Sequence, residues 1–252
     1  MRALALLTAC LAASAVAQSG DDGGYLQTGR VPDGVAILPP PPAPGSVAAN
    51  ADRAIFNSTR RLQGSARWRI ATDDVTNAPL DRYACALGMQ LTPMSAPATA
   101  RLLDHADTGP VVDPVKAHYH TRRPYLGGDA PICEAKTPHL AGNGDYPSGH
   151  AANGWLEALV LAALAPDHAT GILARGRAYG ESRVVCGSHS LSAVRGGWMA
   201  GSAMFAALNG SPAFRRDFES AAHELAVLGP TAPRPDPKRC ADEQRTLATP
   251  PW

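Results

Sequence analysis

The 252-residue sequence has almost no charge excess of either sign. It carries 23 Lys and Arg against 22 Asp and Glu, a formal net charge of +1. A chain that binds nucleic acid normally shows a large basic surplus, so that class of partner is set aside. No uninterrupted apolar run reaches the roughly 20 residues a membrane helix requires, so no transmembrane segment is expected. No two cysteines stand in Cys-x-x-Cys spacing, which argues against a zinc ribbon or a redox dithiol. Alternating β-branched runs are nearly absent, and no internal repeat is visible. What the chain does have is bulk: 45% hydrophobic and 18% charged residues, enough to bury a core and too apolar for global disorder.

The N-terminus reads as an export signal. Met1-Arg2 precedes an apolar stretch from Ala3 to Val16, and Ala15-Val16-Ala17 fits small-x-small cleavage, so residues 1–17 are excluded from the fold. A competing reading is the lipobox Leu7-Thr8-Ala9-Cys10, for which the apolar region is unusually short. Losing residues 1–17 removes Arg2 and no acid, leaving 22 basic against 22 acidic residues. The expected location is periplasmic or secreted. Cys85, Cys133, Cys186 and Cys240 then remain, and four cysteines in an exported chain suggest two disulfides with three connectivities open.

Residues 18–49, with the run Pro39 to Pro42, read as an extended Pro/Gly-rich arm, and residues 230–252 as a Pro-rich tail that Cys240 can pin to the body. Between them, residues 50–229 show helical periodicity. Helices are expected at 50–63, 79–90, 97–106, 149–165, 190–208 and 212–228, the last opened by Ser211-Pro212 as cap and first-turn proline. The fold class is all-α: a single-domain helical bundle of roughly seven to nine helices.

Three segments concentrate groups able to grip an anion. In the first, Lys116 and Arg123 are seven apart, read as two turns of one helix that ends at Pro124, so that both face one side. In the second, Tyr146-Pro147-Ser148-Gly149-His150 opens a helix. It offers free N–H groups, a positive dipole end, the Ser148 hydroxyl, the Gly149 backbone and the His150 imidazole. In the third, Arg183 supplies a forked donor and His189 a second imidazole, again before a helix. Each alone suits a capped helix or a solvated basic face. Together, cations, a nucleophile and an acid are what cleaving a phosphate ester requires.

The order Lys-x6-Arg-Pro, Pro-Ser-Gly-His, Ser-Arg-x5-His resembles the signature of the type 2 phosphatidic-acid-phosphatase superfamily, which includes vanadium haloperoxidases. Within it the chain is most similar to the bacterial class A non-specific acid phosphatases, over about residues 35 to 228, with Arg61-Leu62-Gln63-Gly64 as further support. The resemblance implies a metal-independent enzyme without cofactor that hydrolyses phosphate monoesters with broad specificity. It implies His189 as nucleophile forming a phosphohistidine, His150 as general acid, and Lys116, Arg123, Arg183, Ser148 and the Gly149 N–H as the phosphoryl cradle. Inorganic phosphate and inhibitory vanadate should fit that cradle, and a homo-oligomer is in keeping with the resemblance.

One departure stands out. The family carries Asp four residues after the nucleophilic histidine, and here that position is Ala193. Ser190, Ser192, a backbone carbonyl, or a carboxylate such as Glu157 or Glu181 are the candidates to orient His189 instead. If none serves, the chain is a catalytically impaired phosphate-binding homologue; a vanadium-dependent haloperoxidase is the third reading. A Cys133–Cys186 disulfide is expected to tie the loop after Pro124 to an Arg183 strand, leaving Cys85 for Cys240.

Overall fold

Serine repeatedly marks where the chain turns into helix. Ser46, Ser65, Ser148, Ser190 and Ser211 each accept a hydrogen bond on the side-chain oxygen from the N–H three residues on. Each cap is worth about 1 kcal/mol, because it satisfies one of the orphan donors of a first turn. The computed structural model describes residues 24–27, 29–76 and 78–252. The expected export signal at 1–17, its lipobox alternative and the start of the expected arm lie outside the described residues.

Among the described residues there are thirteen α-helical segments and no strand. The arm holds α1 (Gly34–Ile37), and the body opens with α2 (Val47–Thr59) and α3 (Ala66–Asp73). Then come α4 (Pro79–Arg82), α5 (Ala84–Leu87), α6 (Pro97–His105), α7 (Gly109–Tyr119) and α8 (Pro138–Gly142). The long helices follow: α9 (Gly149–Leu164), α10 (Ala169–Cys186), α11 (Leu191–Leu208) and α12 (Pro212–Leu228), with α13 (Pro237–Leu247) in the tail. The fold is a single helical domain, and none of the described helices is long and apolar enough to cross a membrane.

Helix α9 lies at the centre, packed chiefly against α10 and α11, while α12 covers α6 and α3 covers α10. Leu156 and Leu161 of α9, Ile172 of α10, Val115 of α7, Met204 of α11 and Phe214 of α12 share one buried core. The crossing of α11 over the start of α9 is unusually close. A Cβ on Gly197 would lie 2.6 Å from the Ser148 carbonyl oxygen, so only glycine fits there. The Ser148 N–H also donates to the Ala193 carbonyl at 2.9 Å, joining the first turns of the two helices. Both histidine segments are thereby held side by side.

Several expectations need correction. The helix carrying Lys116 stops at Tyr119: His120 takes a left-handed backbone (φ 48°) and closes it with its N–H on the Lys116 carbonyl. The chain then pairs with the loop before α9, where Thr121 accepts from Asp145 N at its carbonyl (3.0 Å) and from Tyr146 N at its hydroxyl (2.7 Å). Arg123 therefore comes from irregular chain, not from a second helical turn. Arg183 lies in the last turn of a helix, α10, not on a strand. The 79–90 helix is two short pieces, α4 and α5, and the 50–63 helix starts at Val47 and ends as a 3₁₀ turn at Arg60–Leu62. Part of the tail is helical, α13.

Disulfides join Cys133 to Cys186 and Cys85 to Cys240. The second ties α13 to α5, and Arg239 reinforces it by pairing with Asp81 at 3.0 Å. Closing a long loop stabilises mainly by restricting the unfolded chain. The double variant Cys85→Ala/Cys240→Ala is expected to lose about 2–4 kcal/mol of unfolding free energy in urea. Its turnover at room temperature should stay close to wild type, because this bond lies outside the His189 cleft.

Candidate active site

The cleft has a volume of about 790 Å³, and Lys116, Arg123, Gly149, His150, Arg183 and His189 all line it. Three chain segments distant in sequence thus supply one site. Ser148 is the exception among the expected residues. It is fully buried behind the wall, and its Oγ caps α9 by accepting from Ala151 N at 3.3 Å. Its hydroxyl proton remains available as a donor.

Arg183 is 0% exposed. One of its amino groups pairs with Glu134, whose carboxylate also accepts from the Ser188 hydroxyl. Its Nε and Nη1 find no partner among the described residues although both are buried. A buried donor left unsatisfied costs about 1–3 kcal/mol, so this guanidinium is set to receive an anion. The neighbouring Ser182 turns away instead, donating to buried Asp74 at 2.6 Å and accepting from Arg67 at 2.9 Å. The Ser of the Ser-Arg pair therefore braces α10 against α3, and the Arg faces the cleft. The bend that follows needs Gly187, whose φ of 87° ends α10 and turns the chain back toward the cleft.

Arg123 donates through Nε to the Asn143 carbonyl at 2.7 Å and through Nη1 to the Ser188 carbonyl at 3.0 Å. Lys116 Nζ donates to the Gly144 carbonyl. Two cations therefore hold the Asn143-Gly144-Asp145 loop while still lining the cleft. Burial and the nearby Arg123 bring the Lys116 ammonium down to about 8. Burial likewise lowers Arg123.

His189 is 2% exposed, and both ring nitrogens are engaged. Nδ1 lies 2.8 Å from the Asp145 backbone carbonyl and 2.9 Å from Asp145 Oδ1. Both of those oxygens only accept while the carboxylate is ionised, which assigns the ring proton to Nδ1. Nε2 lies 3.0 Å from Arg123 Nη1, a group that can only donate. The ring is thus a neutral tautomer with its Nε2 lone pair on the cation side. Burial, followed by Arg123, Lys116 and Arg183, pushes the imidazole well below its ordinary range, so it resists protonation in acid.

Asp145 is nearly buried, and two hydrogen bonds from Ser190 fix its carboxylate: backbone N to Oδ1 at 3.1 Å and hydroxyl to Oδ2 at 2.6 Å. Burial raises this carboxyl above its ordinary range, against the opposing pull of the two Ser190 bonds, Arg123 and Lys116. Sequence reasoning missed Asp145. Of the candidates for orienting His189, Glu157 pairs with Arg82 and Glu181 with Arg177, so neither reaches the ring. The backbone-carbonyl option is realised, by Asp145 itself, and Ser190 acts one step back. The available signal was an acidic residue directly beside Tyr146-Pro147 in a chain that lacks Asp at 193.

His150 sits on the first turn of α9, exposed to the cleft. Partial burial, then Arg183, His189, Arg82 and Arg123, push its imidazole below the ordinary value, with cleft water screening part of the push. The arriving negative charge of a phosphate acts in the opposite sense.

Similarity to characterised proteins points the same way. The sequence pattern of the PAP2 superfamily matches residues 103–216. The chain is 43% identical over 218 residues to an acid phosphatase of Zymomonas mobilis, covering 84% of this chain and 83% of that protein. It is 34% identical over 211 residues to a non-specific acid phosphatase of Providencia stuartii (81% and 85% covered). With a non-specific acid phosphatase of Salmonella typhimurium it shares 33% identity over 195 residues (75% and 78% covered). The chain belongs to the PAP2 superfamily and, within it, to the acid phosphatases, hydrolases of phosphate monoesters.

Proposed function

We propose that this acid phosphatase works by covalent catalysis through His189, without a metal, on a broad range of monoesters outside the cytoplasm. The observation that carries the reading is the set of His189 contacts: Nδ1 lies 2.9 Å from Asp145 Oδ1 and Nε2 lies 3.0 Å from Arg123 Nη1, an arrangement that assigns the proton to Nδ1 and the lone pair to Nε2. The Nε2 lone pair attacks phosphorus, the bond from phosphorus to the leaving oxygen breaks, and His150 gives that oxygen a proton. Water then attacks, the P–N bond breaks with its electrons returning to Nε2, and the water proton goes to His150. The two steps are each easier than one direct displacement.

Lys116, Arg123, Arg183 and the Gly149 N–H stabilise the charge that builds on the phosphoryl oxygens, a task a metal ion performs in other phosphotransfer sites. The unpartnered nitrogens of Arg183 support this assignment. Vanadate, with the geometry of the pentavalent state, is expected to inhibit. A cleft of about 790 Å³ leaves room for varied leaving groups, in keeping with broad specificity. The export signal at residues 1–17 supports a periplasmic or secreted location. Decay to a mere binding protein loses its motive, because an acidic residue does contact His189.

An alkaline denaturing quench of the enzyme with ³²P-labelled aryl phosphate is expected to trap a phosphoryl group that is base-stable and acid-labile. His189→Ala should trap none and turn over at least about 10³-fold more slowly, as when an activated nucleophile is removed elsewhere. Label on another residue, or turnover lost on chelation by EDTA, would overturn the reading. His150→Ala should slow alkyl phosphates far more than nitrophenyl phosphate, whose leaving group needs no proton.

The pH dependence follows from Lys116, which is charged below its value of about 8 and neutral above it. The alkaline limb of kcat/KM, which reports the free enzyme, should therefore fall as pH rises through about 8. Lys116→Arg should carry that limb to higher pH, since guanidinium keeps its proton.

A further inference from the structure

We infer that Asp145 is the positioning residue of His189, a carboxylate supplied from the loop before α9 to do the work that Ala193 on α11 cannot. This rests on His189 being the nucleophile. Asp145 touches no reacting atom; it acts through the ring.

Four observations converge on it. First, both acceptors of the Nδ1 proton belong to this one residue, its carbonyl at 2.8 Å and its Oδ1 at 2.9 Å. The carbonyl fixes the tautomer, and the carboxylate adds the charge that offsets the imidazolium formed when Nε2 is phosphorylated. Second, the carboxylate is itself immobilised by both hydrogen-bonding groups of Ser190, the residue next to the nucleophile. The same Ser190 hydroxyl accepts from Ala193 N at 3.1 Å. Position 193 is therefore part of the same knot, linked to Asp145 through one shared side chain.

Third, the loop that delivers Asp145 is anchored at three consecutive residues. Arg123 holds the Asn143 carbonyl, Lys116 holds the Gly144 carbonyl, and Asp145 N donates to the Thr121 carbonyl. Fourth, of the carboxylates that line the cleft, Glu134 is committed to Arg183 and Ser188 and Glu157 to Arg82, and neither Asp107 nor Asp113 bonds to His189. No other carboxylate among the described residues bonds to His189. Moving the acid from α11 to this loop leaves the ring's environment intact and ties its orientation to the phosphate-binding cations.

The test is a relocation experiment on the full-length secreted enzyme with nitrophenyl phosphate. Asp145→Ala is expected to lose kcat on the order of 10³-fold, by analogy with orienting carboxylates of histidine bases, with KM changed only a few-fold. Asp145→Ala/Ala193→Asp should regain at least about tenfold of that loss, since a carboxylate returns to the ring from one helical turn away. Asp145→Asn keeps shape and hydrogen bonding but not charge, and should slow phosphoenzyme formation by about tenfold or more. The inference falls if Asp145→Ala keeps kcat within threefold of wild type. It also falls if Asp145→Asn forms the phosphoenzyme at the wild-type rate, a readout that holds even where the double variant does not fold. Trapping in the wild type separates the two claims: no phosphohistidine there refutes the nucleophile, whereas trapping at unchanged rate in Asp145→Asn refutes only Asp145.

Discussion

Packing several cations around one cleft is the constraint that organises this molecule. Arg183 and Arg123 are almost wholly buried and Lys116 largely so, in a chain with no charge to spare overall. Like charges brought together in a poorly solvated space repel strongly unless oxygen atoms face them. The fold supplies those oxygens from backbone: the carbonyls of Asn143, Gly144 and Ser188 take donors from Lys116 and Arg123, and Glu134 takes one amino group of Arg183. What is left over, two nitrogens of Arg183 and the cleft-facing sides of the others, is the preorganised charge to which the proposed reaction assigns phosphate binding. Burial first, and these same cations after it, push the His189 imidazole well below its ordinary range.

The scaffold explains how such a site is held. α9 and α11 meet where Gly197 faces the Ser148 carbonyl, so the starts of both helices, with their histidines adjacent, form one unit. α10, packed along α9, brings Arg183, and its buried polar face is satisfied by Asp74 and Arg67 of the preceding segment. The Cys133–Cys186 disulfide then fixes the loop that carries Glu134 against the end of α10. Helices thus carry Lys116 and Arg183, a covalent tie backs Arg183, and hydrogen bonds to the Asn143 and Ser188 carbonyls fix Arg123, which is what preorganisation requires.

Much of this was legible in sequence. The ends of α9, α11 and α12 follow from capping serines, a first-turn proline and a stripe of apolar residues. The three motif segments pointed to six of the cleft's lining residues and to the buried Ser148. What escaped detection has physical reasons. α10 is buried on nearly every side and fills its interior with Arg175, Ser182 and Arg183, so it shows no apolar stripe. α13 is short and polar, and owes its position to Cys240 and Arg239 rather than to its own pattern. The turn at His120 depends on pairing between Thr121 and a loop more than twenty residues away, which no local rule reads. Asp145 escaped for the same reason: its contact with His189, 44 residues away, is set by tertiary approach and not by any local spacing.

The central claim is that His189 stays a neutral Nδ1–H tautomer under acidic conditions, with its Nε2 lone pair among cations. ¹⁵N NMR of histidine-labelled enzyme at about pH 5, where an ordinary imidazole is mostly protonated, tests this directly. The account predicts a protonated Nδ1 signal and an unprotonated Nε2 signal for His189. Two protonated nitrogens, or the proton on Nε2 alone, would contradict it.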